Sequence, residues 1–110
     1  MDKHQLVDRY FSCIRQRNLD SLCALYVADA TLALPDGREL SGVAAIREMY
    51  SALFSAQAPS PTPVNVVVGD KSVAAELEIH LPNGETRRTA NFFHLNADGL
   101  ITRLSIYARK

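Results

Sequence analysis

Val73-Ala74-Ala75-Glu76-Leu77-Glu78-Ile79-His80-Leu81 alternates an apolar residue with Ala, Glu or His, and Pro82-Asn83-Gly84 follows at once. A period of two is the signature of a half-buried strand. Asn-Gly readily supplies the two positive φ angles of a tight hairpin turn. Residues 73–81 therefore predict one arm of an antiparallel hairpin. Working outward, Val64 to Val68 predicts a strand before it and Arg87 to Leu95 its return partner. Asn96-Ala97-Asp98-Gly99 turns again, and Leu100 to Ala108 closes a meander.

Upstream of residue 64 the period is 3.6. Leu6, Tyr10, Cys13, Ile14 and Arg17 fall at helical spacing, widened by Val7 and Phe11, with Asp8, Arg9, Arg15 and Gln16 opposite. Asn18 is the expected stop, because Asn tolerates the left-handed conformation. A short helix restarts with Asp20 as cap candidate and Leu22, Leu25 and Tyr26 inward. Ala30–Leu34 reads as a strand closed by Pro35-Asp36-Gly37, and Ser41-Gly42 opens a third helix with Ile46, Met49, Tyr50 and Leu53 on its apolar face. The prolines at 59, 61 and 63 read as a stiff connector. Three helices ahead of a curved, mostly antiparallel sheet make an α+β domain with room for an interior pocket.

The 110 residues hold one domain, 1–110. Twelve basic and twelve acidic residues cancel, which argues against nucleic acid as the main partner. No apolar run is long enough for a membrane span, and the polar N-terminus lacks a signal-peptide core; a cytoplasmic protein is expected. Cys13 and Cys23 have no ligand spacing, so two free thiols, no metal and no cofactor are expected.

Asp8-Arg9-Tyr10-Phe11, Asn18-Leu19-Asp20-Ser21-Leu22, Leu25-Tyr26, Asp29-Ala30-Thr31-Leu32 with Pro35, and Ser41 to Tyr50 together resemble the nuclear transport factor 2-like (NTF2-like) superfamily. Within it the chain is most similar to the ketosteroid isomerase and SnoaL-like (polyketide cyclase-like) branch. The resemblance implies a cone-shaped, cystatin-like roll. It also implies that Tyr10 matches an oxyanion-hole tyrosine, that Tyr50 supports it through a hydrogen bond, and that Asn91 stands where the family has a protonated aspartic acid. An Asn amide donates at any pH. The family's general base, immediately before the proline, is here Leu34, which cannot accept a proton. Asp36 is the nearest carboxylate, in a turn expected to face solvent.

From these residues a pocket lined by Tyr10, Ile14, Tyr26, Leu34, Tyr50, Phe93, Leu104 and Ile106 is expected, with Tyr10 and Asn91 donating to a small hydrophobic ligand with a polar tip. The other reading of Tyr10 is a core tyrosine whose hydroxyl has a structural partner, in a non-catalytic dimeric module with a vestigial cavity. If Asn91 points inward, Phe92, His94, Arg88, His80, Glu76, Glu78, Arg103, Ser105 and Tyr107 share the outer sheet face. That face is expected to form a homodimer interface, as is common in the family.

Overall fold

The computed structural model describes residues 1–108. Helix α1 (Lys3–Gln16) starts from a reciprocal cap: Gln5 N–H donates to the Asp2 carboxylate and Asp2 N–H to the Gln5 side chain, both at 2.8 Å. It ends at Arg17, not at Asn18. Arg17 takes the left-handed conformation (φ 54°), and Asn18 N–H donates to the Cys13 carbonyl at 2.9 Å. Asn18 instead caps α2 (Leu19–Cys23) by accepting from Ser21 N–H at 3.2 Å. Asp20 lies inside that helix and pairs with Arg47, so it is not the cap.

The strands are β1 (Tyr26–Ala33), β2 (Glu39–Ser41), β3 (Thr62–Val68), β4 (Ser72–His80), β5 (Thr86–Leu95) and β6 (Ile101–Ala108), with α3 (Val43–Ser55) between β2 and β3. They form one open sheet in the order β2-β1-β6-β5-β4-β3, in which only β1 and β6 run parallel. β1 begins four residues earlier than its apolar pattern indicates, and β2 is too short to carry a pattern. The proline connector ends inside β3. Pro63 is tolerated there because β3 is an edge strand with a register shift between Pro63 and Asn65.

The turns at Leu34–Gly37, Leu81–Gly84 and Asn96–Gly99 share one construction. The glycine N–H donates to the carbonyl three residues back, and the next pair closes the ladder. Only the glycine has positive φ, +90° at Gly84, and Asn83 does not share it. The expected two-residue Asn-Gly turn is thus a longer one ending in a glycine bulge, with Asn83 accepting from Glu85 N–H at 2.9 Å.

One row of inward side chains crosses the sheet through Val73, Phe93, Leu104 and Leu32. All four are fully buried, against Leu6, Tyr10, Phe11, Leu22 and Ile46 from the helices and Ala30 from β1. The next row outward holds Ala75, Asn91 and Ile106. This step between rows places the site.

Candidate functional site

A cavity of about 340 Å³ lies between the inner sheet face and helices α1 and α3. Tyr10, Tyr50 and Asn91, all buried, bring its polar atoms. Ile14, Leu34, Met49, Leu77, Ile79 and Ile106 supply apolar wall, and Arg17, Arg87, Pro59 and Pro61 also line it. A wider groove of about 760 Å³ lies across the Leu34–Pro35 ridge, but its Asp36, Arg38 and Glu48 are exposed and it holds no buried polar side chain. The smaller cavity, apolar with a few converging polar groups, is the candidate site.

Three phenols form a chain through the core. The Tyr26 and Tyr50 hydroxyls are 2.8 Å apart, and those of Tyr50 and Tyr10 are 2.6 Å apart. Tyr26 has no other side-chain partner among the described residues, so its proton is satisfied only by donation to Tyr50. A buried donor left without an acceptor is costly. One of the two remaining protons then bridges Tyr50 and Tyr10 and the other is left for the cavity; the order Tyr26 to Tyr50 to Tyr10 puts that free proton on Tyr10. Burial pushes all three phenols well above the ordinary tyrosine value, so at neutral pH they are donors and not bases.

Asn91 is 97% buried, and its Oδ1 has no hydrogen-bond partner among the described residues. It sits on β5 between Ala75 and Ile106. An amide carries both donor and acceptor, and Asn91 lines the same cavity as Tyr10 with its amide engaged by no protein group among the described residues.

No carboxylate, histidine, lysine or cysteine among the described residues lines this cavity. Leu34 occupies the wall where the resemblance places a base. Asp36 is turned away: its carboxylate accepts from Arg38 N–H at 3.0 Å and pairs with the Arg38 guanidinium at 2.7 Å. Those bonds, the backbone one first, hold it below the usual carboxylate value.

Of the residues expected to line the pocket, Tyr10, Ile14, Leu34, Tyr50, Ile106 and Asn91 do so. Phe93, Leu104 and Tyr26 do not. Phe93 and Leu104 lie one row deeper, about 7 Å along their strands, and the Tyr10 and Phe11 rings cover Phe93 at 5.0 and 6.4 Å. Tyr26 stands behind Tyr50. Alternation reports which face a side chain takes, not how far down the cone it sits. Arg17 and Arg87 were missed as lining residues, although both carried a signal. Arg17 is a cation on an apolar helical stripe, and period two from Asn91 brings Arg87 to the inner face.

His80 and His94 sit at opposite ends of the β4–β5 pair, opposite Thr86 and Ser72 respectively. Among the described residues no three metal-ligating side chains cluster, and no helix is long and apolar enough to cross a membrane.

These features define a cystatin-like, NTF2-like α+β roll with a half-enclosed cavity. Residues 7–104 match the model of the SnoaL-like domain, and the chain belongs to that family. Its fold is similar to that of a protein from Kribbella flavida provisionally called a ketosteroid isomerase (20% identity, TM-score 0.83, covering 98% of this chain and 78% of that one). A protein from Sinorhizobium meliloti provisionally called a polyketide cyclase is similar too (22%, TM-score 0.81, 96% and 99%). So is a protein of unknown function with a cystatin-like fold from Methylobium petroleophilum (17%, TM-score 0.84, 98% and 76%). At these identities the likeness carries the fold alone. A search of curated protein sequences finds no match.

Proposed function

We propose that the cavity binds a small apolar compound through a carbonyl or hydroxyl oxygen held between Tyr10 and Asn91. The observation that carries this reading is the unpartnered Oδ1 of Asn91, buried at the cavity where the phenol chain delivers a proton. Folded proteins rarely leave such an atom unpaired unless a bound molecule or water completes it. A ligand hydroxyl would donate to Asn91 Oδ1 and accept from Tyr10, whereas a ligand carbonyl would accept from Tyr10 and from Asn91 Nδ2 and be polarised by them. With Leu34 in place of a base, abstraction of a proton beside that carbonyl has no acceptor, so ketosteroid isomerisation by the family's mechanism is not the activity.

The test is calorimetry with 4-phenylphenol, 4-phenylcyclohexanone and biphenyl, which share an apolar body and differ in the oxygen. The oxygenated pair should bind more tightly by about 1–3 kcal/mol, and Tyr10→Phe should remove most of that difference. Equal affinity for all three would show that the polar groups only serve the core.

We also propose a homodimer through the outer sheet face. Val67, Ala74 and Phe92 lie in one row across β3, β4 and β5, and Asn65, Glu76, Ala90 and Tyr107 in the next, where Asn65 Nδ2 donates to Glu76 at 3.1 Å. Val67, Phe92 and Tyr107 are 59%, 42% and 58% exposed, while Arg103–Glu39 at 3.0 Å and Arg88–Glu78 at 2.6 Å flank them. An apolar patch rimmed by charge suits a self-complementary interface.

A further inference from the structure

Arg17 and Arg87 both line the cavity, and among the described residues no carboxylate does. Neither forms an ion pair among the described residues; Arg38, Arg47, Arg88 and Arg103 do, and Arg9 and Arg15, also without one, lie outside this cavity. Arg17 is also held in place. Its guanidinium lies over the Phe54 ring, 5.8 Å from the centroid, and donates to the Phe54 and Ala58 carbonyls at 3.5 and 3.4 Å. It does so from a left-handed backbone position (φ 54°) that favours Gly or Asn. Arg87 is four residues from Asn91 on β5, which places its backbone about 13 Å farther along the strand on the same face.

The cavity thus has buried, neutral hydrogen-bonding groups, apolar walls, and two exposed cations in its lining. Resting on the reading of this cavity as a ligand site, we infer that its ligand is an amphipathic carboxylic acid, with its oxygen tip at Tyr10 and Asn91 and its carboxylate between Arg17 and Arg87. A planar guanidinium matches a carboxylate in geometry and charge. Arg17 already directs N–H groups to two carbonyls, so a single carboxylate suits its remaining donors better than a phosphate that must be wrapped. The Asp36, Arg38 and Glu48 side chains belong to the groove across the ridge and leave the two cations uncompensated.

The probes are 4′-hydroxybiphenyl-4-carboxylic acid, the flexible 4-(4-hydroxyphenyl)butanoic acid and the methyl ester of each, titrated calorimetrically at neutral pH. At least one acid should bind about two- to fivefold more tightly than its ester, the range of a partly exposed ion pair. The preference should shrink as salt is raised. Arg87→Gln and Arg17→Gln should each reduce the ratio of acid to ester affinity, and the double variant should bring that ratio to one. Arg38→Gln removes the same charge from the neighbouring groove and should leave the preference intact; thermal melts check that each variant is folded. Acids and esters that bind equally, with both weakened by Tyr10→Phe, would overturn the inference and leave the ligand site standing. An equal loss in Arg38→Gln would reduce it to overall charge and overturn it as well. If no probe binds, or Tyr10→Phe changes nothing, the ligand site itself falls and the inference with it.

Discussion

Replacing Tyr50 with phenylalanine removes the middle hydroxyl of a three-phenol chain, and the hydrogen-bond direction fixes what each replacement should cost. In the order that satisfies the Tyr26 proton, Tyr26 donates to Tyr50 and Tyr50 to Tyr10, although the distances of 2.8 and 2.6 Å fit either order. Tyr50→Phe deletes both bonds and leaves the Tyr26 proton buried without an acceptor. Two bonds at about 1 kcal/mol each, plus part of a 1–3 kcal/mol penalty for the orphaned donor, give roughly 3 kcal/mol. Tyr10→Phe deletes one bond and orphans the Tyr50 proton, for about 2 kcal/mol. Tyr26→Phe deletes one bond and orphans no donor, for about 1 kcal/mol. The assay is urea unfolding at neutral pH. With a slope of roughly 1.5 kcal/mol per molar, Tyr50→Phe should lower the midpoint by about 2 M. The ranking Tyr50 over Tyr10 over Tyr26 is the decisive feature. If Tyr26→Phe destabilises more than Tyr10→Phe, the chain runs the other way, and Tyr10 brings no free proton to the cavity.

Stability should hold to about pH 9 and fall above about pH 10, because the unfolded tyrosines then lose protons that the three buried ones keep; Tyr50→Phe should flatten the fall by about one proton in denaturant titrations at several pH values. Wild type should show negligible isomerisation of a Δ5-3-ketosteroid, whereas Leu34→Asp should add turnover visible in enone absorbance, since a placed base contributes about 10²–10⁴-fold. Burial should raise the new carboxylate's pKa, so that activity should climb with pH until it ionises. Phe92→Glu with Tyr107→Glu should convert the proposed dimer to monomer in light scattering; a wild-type monomer at high concentration would contradict the interface.

Much of this architecture was legible in the chain because its elements are strongly periodic. The Leu6–Tyr10–Cys13–Ile14 stripe gave α1, and the alternation through Val73–Leu81 and Asn91–Leu95 gave the inner face of β4 and β5. Boundaries set by single hydrogen bonds were not legible. Arg17, a poor residue for the left-handed conformation, ends α1 because Asn18 is engaged as the next helix's cap. β2 is three residues held by its turn and by pairing with β1. The site divided along similar lines. Tyr10, Tyr50, Asn91 and Leu34 were reached through the family resemblance, and Ile14 and Ile106 through their faces. Depth was invisible, because Phe93 and Asn91 share a face and differ only in which row the helices cover. The cations at Arg17 and Arg87 were passed over because an arginine stem packs along apolar surface as readily as its head pairs with an anion.

The claim that the Asn91 amide is an unfilled ligand position has a direct readout in the side-chain amide resonances of 15N-labelled protein. Titration with 4-phenylphenol should move the Asn91 Nδ2 signals and slow their exchange with water as the hydroxyl fills the place beside Tyr10. Other side-chain amides, such as that of Asn83 in its exposed turn, should stay where they are. Binding that leaves the Asn91 signals unchanged, or that moves them equally in Tyr10→Phe at saturation, would contradict the claim.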